Sequence, residues 1–188
     1  PVNRKPAPPF ITSTLQQESS RKLGLSARDT MRVAQKLYEQ GFITYMRTDS
    51  VNIASTAQTQ LLSLIGNTYG NGYAQPRSYK TTSKNAQEAH EAIRPTNAAR
   101  ESAGYNEEQK KLYRLIRERA IASQMADAKL LRSKIIANIK EGTEFPDFSV
   151  TGSRVIYDGW LACDTRARGE DIELPKMNKN ETLTLKDM

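Results

Sequence analysis

Residues 26–50 read SARDTMRVAQKLYEQGFITYMRTDS, a helix pattern followed directly by a polar segment with reactive side chains. Ser26 and Asp29 are typical of a helix N-terminus, and apolar residues recur at helical spacing after them. Gly41 favours the end of this helix. The sequence therefore predicts a helix that is followed at once by the segment 42–50.

Other helices are predicted on both sides of this one. Upstream, residues 13–16 have the spacing of a capping box, and Gly24 is a C-terminal stop. Downstream, an apolar pattern from about Ile53 predicts a third helix that ends at Gly66, before a long polar loop. A fourth, long helix begins with the capping-box pattern of residues 106–109.

The pattern changes to short β-type runs from about Leu130 onward. Apolar and β-branched residues fall there between glycines and prolines, which is typical of strands. A helical part therefore gives way to a strand-rich part. The residues that carry this prediction are Ile135, Ile136, Ile139, Phe148, Val150, Val155, Ile156 and the run 182–185.

Composition excludes several classes of protein. The 188 residues are 37% hydrophobic and 26% charged, values near those of globular proteins, so a disordered tail is excluded. No run approaches the roughly 18 consecutive apolar residues that a membrane-spanning helix needs, so a membrane span is excluded. A single Cys163 excludes an internal disulfide, and a single His90 excludes a histidine cluster for metal. These features are typical of the reducing cytoplasm.

Positive charge is concentrated in the first three quarters of the chain. Residues 1–140 hold 22 Lys and Arg against 11 Asp and Glu, a net charge of +11, whereas residues 141–188 hold 6 against 10, a net charge of −4. Together they give the total of +7. A basic surface favours nucleic acid or an anionic membrane face as a partner.

The segment 42–50 carries a phenol and a guanidinium two residues apart. If its backbone is extended, Tyr45 and Arg47 share a face with Ile43, and the residues between them face the other way. A tyrosine can act as a covalent nucleophile, but an ordinary phenol pKa of about 10 requires a nearby positive charge or base. An arginine also binds a phosphodiester and stabilises the charge that develops on its oxygens. Most tyrosines nevertheless pack structurally, so catalysis is one of two interpretations.

A second polar cluster, QEAHEAIRPT, occupies residues 87–96. His90 and Arg94 would lie on one face of a helix, where both could contact a phosphate. Pro95 interrupts such a helix and biases Arg94 toward extended backbone. A lone histidine is more often a structural hydrogen-bonding residue, so the spacing alone supports phosphate binding only weakly.

Three strings, in this order, resemble the signature segments of type IA DNA topoisomerases: PFITSTLQQ at residues 9–17, GFITYMRTDS at residues 41–50 and AQEAHEAIRPT at residues 86–96. Met46, directly after the tyrosine, resembles the bacterial topoisomerase I branch of the family. A later string, GSRVIYDGW at residues 152–160, is also similar to the family. The resemblance covers nearly the whole chain.

The resemblance implies an enzyme that cuts one DNA strand through a 5′-phosphotyrosine link, passes another strand through the gap and reseals the break. Such an enzyme relaxes negatively supercoiled DNA without ATP. By motif position, Tyr45 would be the nucleophile, Arg47 its catalytic partner and His90 a phosphate contact. The other residues expected to bind DNA or shape this turn are Thr44, Thr48, Asp49, Ser50 and Arg94, with Thr96 as further polar support.

The resemblance also implies a metal site and partners. In the family, Mg²⁺ belongs to the acidic Toprim domain, whose pattern does not occur in this sequence. Aspartates such as Asp49, Asp127, Asp158 and Asp164 are scattered singly. We therefore expect Mg²⁺ to bind outside this chain, and the chain alone to cleave and relax DNA poorly or not at all. Expected partners are single-stranded and negatively supercoiled DNA and the missing Toprim and other domains of the same polypeptide, with no membrane partner. The enzyme is expected to be monomeric, cytoplasmic and nucleoid-associated.

The fold implied is α+β, with a mainly helical domain that carries the tyrosine inserted into part of a β-rich arch. The expected divisions are residues 1–8 as the first strand or linker of the arch, 9–130 as the helical domain, and 131–188 as part of the arch or its hinge. Residues 6–10 should then approach the chain from about Leu131 onward.

Two other classes of protein remain open. A tyrosine recombinase also uses Tyr, Arg and His on phosphodiesters, but its nucleophile follows the His and Arg motif, whereas Tyr45 precedes His90 here. A non-catalytic module that binds single-stranded DNA would rely on basic residues and on stacking by Tyr69, Tyr73 and Tyr79.

Overall fold

A computed structural model of the chain describes residues 1–80, 90–138 and 147–182. It contains helices and a small antiparallel sheet, so the fold is α+β as expected. The four α-helices of the described ranges occupy the chain between the first two strands, and short 3-10 helices follow the last strand. In chain order the elements are β1 (Val2–Arg4), α1 (Thr12–Leu23), α2 (Ala27–Glu39), α3 (Ser55–Tyr69), α4 (Glu107–Ala122), β2 (Ala128–Ala137) and β3 (Phe148–Tyr157).

Local hydrogen bonds explain where two of the helices begin. The side chain of Ser26 accepts a bond of 3.0 Å from the amide of Asp29 at the start of α2. The side chain of Asn106 accepts one of 2.9 Å from the amide of Gln109 at the start of α4. Each bond satisfies an amide that the first turn of a helix leaves free. Gly24 ends α1 with a φ of 69°, which glycine adopts without strain, so these three predicted boundaries are confirmed.

Two other predicted boundaries are wrong. α1 begins before Ser13, because Ile11 is its N-cap and donates its amide to the hydroxyl of Thr14 at 3.1 Å. α3 continues through Gly66 instead of stopping there. Glycine suits position 66 for another reason, since a Cβ atom there would lie 2.9 Å from Oδ1 of Asn71.

The sheet has the order β1-β2-β3, and both pairs of neighbouring strands are antiparallel. β1 pairs with the first residues of β2, from Val2 opposite Leu130 to Arg4 opposite Ala128. The start of the chain therefore meets the start of the strand-rich part through β1. The closer approach expected of residues 6–10 stays a prediction.

Most residues of the β-type runs lie in the hairpin of β2 and β3, so this prediction is confirmed for them. Ile139 and almost all of the run 182–185 lie outside the described residues. The division of the chain at residues 8 and 130 stays a prediction.

Two hydrophobic clusters form the interior. The first lies among the helices and includes Phe10 and Leu37, both fully buried. The second joins the helices to the sheet and includes Ile65, Leu130 and Trp160. Burial of one such side chain contributes about 1.5–3 kcal/mol, so the helices and the sheet stabilise each other. In the described parts of the chain, no helix is both long enough and apolar enough to cross a membrane.

Candidate active site

The segment 42–50 lies over the first hydrophobic cluster and is irregular, not a strand. From residue 45 onward its side chains alternate, with the odd-numbered ones exposed and the even-numbered ones buried. Tyr45 and Arg47 therefore share the exposed face, as predicted. The expectation that Ile43 shares this face is wrong, because Ile43 is buried in the cluster and bridges Pro95.

Thr44 joins this segment to the extended segment 90–96. Its hydroxyl donates to the carbonyl of Ala92 at 2.7 Å and accepts from the amide of Arg94 at 3.0 Å. The amide of Thr44 also donates to the carbonyl of Arg94 at 2.9 Å. Thr44 thus holds the two predicted motifs side by side through its own polar atoms. Thr96 supports the same junction, since its hydroxyl donates to a backbone carbonyl at 2.7 Å.

Thr12, the first residue of α1, holds the segment from its other side. Its hydroxyl donates to the carbonyl of Met46 at 2.9 Å and accepts from the amide of Thr48 at 2.9 Å. The buried hydroxyl of Thr48 in turn accepts from the amide of Ser50 at 3.0 Å. Thr48 and Ser50 therefore shape the turn through contacts within the protein.

Tyr45 is 40% exposed and is flanked by two aromatic rings. Its ring centroid lies 5.3 Å from that of Tyr38 on α2, with an angle of 67° between the ring planes. The imidazole of His90 lies 6.3 Å away at 61°. Both contacts have the edge-to-face geometry that aromatic rings prefer. The structure thus brings together the phenol and the histidine of the two predicted motifs.

A cleft of about 520 Å³ lies against His90, whose ring contacts that of Tyr45. Its walls combine the N-terminal turn of α1 with Arg47 and His90, while Asp49 adds one carboxylate. A guanidinium, an imidazole and the positive end of a helix dipole suit an anion such as a phosphodiester. The lining residues are Ile11, Thr12, Ser13, Gln16, Arg47, Thr48, Asp49 and His90.

Arg94 does not share a helical face with His90, because residues 90–96 do not form a helix. This arrangement, which the spacing alone suggested, is therefore wrong. Nη2 of Arg94 lies 2.7 Å from Oε2 of Glu91, and its Nη1 donates to the carbonyl of Pro95 at 3.0 Å. These contacts give Arg94 a structural role in its own segment. Its assignment as a DNA contact stays a prediction.

The tyrosines of the alternative stacking surface contact the protein. The hydroxyl of Tyr73 donates to Oδ1 of Asp158 at 2.8 Å, and this bond raises the pKa of the phenol. The hydroxyl of Tyr79 donates to the carbonyl of Ser123 at 2.8 Å, and burial raises its pKa. Tyr69 packs against the second hydrophobic cluster. These contacts favour a structural role and argue against a surface for base stacking.

Several residues of the site are not among those predicted from the sequence. Thr12, Ser13 and Gln16 line the cleft, and Tyr38 contacts the exposed tyrosine. The string PFITSTLQQ contains the first three, so its resemblance to a family signature could have indicated them. Tyr38 gives no such signal, because in the sequence it is one more residue of a helical apolar face.

The whole chain, residues 1–188, matches the sequence model of a family described as DNA topoisomerase. DNA topoisomerase 1 of Synechocystis is 48% identical over 190 aligned positions, which cover 94% of this chain and 21% of that protein. DNA topoisomerase 1 of Zymomonas mobilis is 50% identical over 163 positions, which cover 86% of this chain and 13% of that protein. The chain thus spans about a fifth or less of the length of these relatives.

The fold has a similar counterpart among solved structures. Full-length topoisomerase I from Thermotoga maritima superposes with a TM-score of 0.80 at 35% sequence identity. The match covers 96% of this chain and 30% of the Thermotoga chain. Fold and sequence therefore indicate the same relatives.

Proposed function

The chain belongs to the bacterial type IA DNA topoisomerases, and from this premise we propose that it supplies the nucleophile with which a longer enzyme cuts and reseals one DNA strand. The observation that carries the proposal is the exposed phenol of Tyr45, which contacts His90 beside a cleft that also contains Arg47. The phenol can supply a nucleophile, and the imidazole that it contacts shares a cleft with a guanidinium, so a nucleophile and two phosphate-binding groups lie close together.

In the proposed cleavage step, the phenolic oxygen of Tyr45 forms a bond to a backbone phosphorus of single-stranded DNA. The bond from that phosphorus to the 3′ oxygen breaks, so the strand is held by a 5′-phosphotyrosine link. The phenol loses its proton, and the departing 3′ oxygen gains one. Resealing is the reverse reaction, in which the 3′ hydroxyl attacks the phosphotyrosine.

Arg47 and His90 are proposed to act on the phosphate. A guanidinium can hold both non-bridging oxygens and stabilise the charge that grows on them as the phosphorus becomes five-coordinate. His90 can hold the same or the adjacent phosphate in line with the phenol, because its ring contacts that of Tyr45. The exposure of Arg47 at the cleft supports this role.

The two steps exchange one phosphate ester for another, so the energy of the broken bond is retained in the protein link. We propose that a second strand passes through the protein-bridged gap before resealing, which relaxes negatively supercoiled DNA without ATP. The proposed enzyme is monomeric and acts on DNA in the cytoplasm.

Magnesium, which the family uses, does not fit the residues of this chain that the structure describes. Mg²⁺ prefers several carboxylate oxygens, and the described ranges contain no group of three or more acidic, histidine or cysteine residues that could hold a metal. We propose that Mg²⁺ binds in a Toprim domain of the longer polypeptide. The chain alone should then show little or no cleavage and relaxation.

The test is the covalent adduct with single-stranded DNA, formed by the intact polypeptide that contains this chain. Tyr45→Phe should abolish the adduct, because phenylalanine has no oxygen for the phosphorus bond. The matched control is Tyr105→Phe, which removes the hydroxyl of another exposed tyrosine.

An adduct that persists in Tyr45→Phe removes this residue as nucleophile. A wild-type protein that binds DNA but never forms an adduct would instead identify a binding module. Magnesium-dependent relaxation by the purified 188-residue chain would contradict the proposal that other domains are required.

A further inference from the structure

We propose that Tyr38 is a positioning residue for Tyr45, because the edge-to-face contact of the two rings holds the phenol at the angle from which it attacks. This inference rests on the proposed role of Tyr45 as nucleophile. Tyr38 would not touch the reacting phosphate in this role. It acts through the ring of its neighbour.

The contact with Tyr38 restricts the orientation of the Tyr45 side chain, which the local backbone does not fix. Tyr45 projects from an irregular segment and is 40% exposed, so its side chain lacks the enclosing walls that fix a core rotamer. The centroid of the Tyr38 ring lies 5.3 Å away at 67°. The imidazole of His90 lies 6.3 Å from the Tyr45 ring at 61°, so the phenol has one aromatic edge contact to α2 and one to the segment 90–96.

Tyr38 is suited to this role because its own backbone is fixed. It lies in the last turn of α2, next to Leu37, which is fully buried in the first hydrophobic cluster. The amide of Phe42 donates to the carbonyl of Leu37 at 2.9 Å, so the chain between the two tyrosines is pinned to the helix end. The position of Tyr45 relative to α2 is thereby fixed by two contacts, the ring contact with Tyr38 and the backbone hydrogen bond of Phe42.

Packing into the interior does not explain the placement of Tyr38, since its side chain is itself 40% exposed. A leucine at this exposed position would keep the helix and lose the ring contact. Aromatic pairs contribute enough beyond burial to change an equilibrium by about two- to tenfold. A loss of this size should appear in the cleavage step, where a small misplacement of the nucleophile lowers the rate.

The experiment compares Tyr38→Leu with Tyr38→Phe in the intact enzyme. The single-turnover rate constant for adduct formation on a single-stranded oligonucleotide should fall about two- to tenfold in Tyr38→Leu. Tyr38→Phe should keep the wild-type rate, because it retains the ring. DNA affinity should change in neither variant, since Tyr38 is not proposed to bind the phosphate.

Tyr105→Leu is the matched control. Tyr105 is another exposed tyrosine, and its edge contact is to Phe42, 6.5 Å away. Its removal should leave the cleavage rate unchanged. An equal loss in the Tyr105→Leu control would assign the effect to general weakening of the fold.

A second readout needs no enzyme activity. Fluorotyrosine incorporated at position 45 of the chain reports the environment of that ring by fluorine NMR. In Tyr38→Leu the resonance should shift and broaden, as the ring samples more orientations, and in Tyr38→Phe it should broaden little. A resonance that stays sharp and unshifted in Tyr38→Leu would overturn the inference.

The outcomes separate the two proposals. If Tyr45→Phe abolishes the adduct but Tyr38→Leu cleaves at the wild-type rate, only the positioning role is refuted. If Tyr45→Phe still forms the adduct, the proposed nucleophile is wrong whatever Tyr38 does. If Tyr38→Phe loses as much as Tyr38→Leu, the hydroxyl and not the ring is responsible, which also contradicts the positioning role.

Discussion

The ammonium of Lys22 on α1 lies 2.8 Å from Oδ2 of Asp164, a residue that follows β3. Both side chains are only 11% exposed. α1 also forms one wall of the candidate cleft, through Ser13 and Gln16. This ion pair therefore links an element of the site to the part of the chain beyond the sheet.

Removal of the lysine should destabilise the fold strongly. Lys22→Met leaves the carboxylate of Asp164 without its partner in a site with little water, and such a loss costs about 3–5 kcal/mol. Urea unfolding of the chain measures the change. Arg154→Met is the matched control, because its ion pair with Glu173 is exposed and should contribute less than about 1 kcal/mol. Equal effects of the two variants would mean that Lys22 contributes no more than a surface pair.

The ionised side chain of Glu18 should make the stability of the fold depend on pH in the acid range. Burial opposes its ionisation, but the hydrogen bond from Arg21 and the charges of Arg119, Arg21 and Lys22 outweigh burial and hold the pKa below its ordinary value of 4.5. The carboxylate therefore contributes stability above the ordinary value, and this contribution is lost as the pH falls through the lower, folded-state pKa. Melting temperatures measured from neutral pH into this acid range should fall less steeply in Glu18→Gln. A profile identical to wild type would contradict this role.

Thr44 should matter for the junction of the two motifs. Thr44→Val keeps the shape of the side chain but removes the hydroxyl bonds to the carbonyl of Ala92 and the amide of Arg94. Buried polar groups left unpaired cost about 1–3 kcal/mol each. We expect lower stability and slower adduct formation in the intact enzyme, because His90 loses its fixed distance from Tyr45. Thr44→Ser retains the hydroxyl and should behave nearly as wild type, and a Thr44→Val variant as active as Thr44→Ser would argue against this coupling.

Arg47 should contribute to the salt dependence of DNA binding. Neutralisation of one phosphate of a single strand adds about 0.7 to the slope of log affinity against log salt. Arg47→Ala should therefore bind a single-stranded oligonucleotide less tightly and reduce the slope by about that amount, measured by fluorescence anisotropy with the chain. Arg154→Ala removes an exposed charge on β3 and serves as the control. A slope unchanged in Arg47→Ala means that this guanidinium does not face DNA.

The sequence predicts helix boundaries best where a polar side chain satisfies the first turn. Ser26 and Asn106 are such residues, because each bonds an amide three positions ahead. The start of α1 does not follow this pattern, because its N-cap is the apolar residue Ile11, whose amide donates to the hydroxyl of Thr14. The end of α3 was also not predictable from a single residue type. The helix continues through Gly66, because packing of Ile65 in the second cluster outweighs the low helix propensity of glycine.

The candidate site could be predicted from motifs only as two separate groups. Strand-like alternation accounts for the exposure of Tyr45 and Arg47, but not for the burial of Ile43. The contact of Tyr45 with His90 depends on hydrogen bonds between segments that are distant along the chain, and no local periodicity encodes these. The same is true of Tyr38, whose helical spacing is that of an ordinary packing residue.

The pairing of Arg4 with Ala128 has a consequence for protein engineering. Antiparallel neighbours lie about 4.5–5.5 Å apart, so the whole helical portion leaves the sheet and returns to it at adjacent points. A turn of about two to five residues is enough to connect two such strands. An exchange of residues 5–127 between related proteins would therefore have both splice points inside one small piece of β-sheet, and it would have to preserve the second hydrophobic cluster, which packs these helices against that sheet.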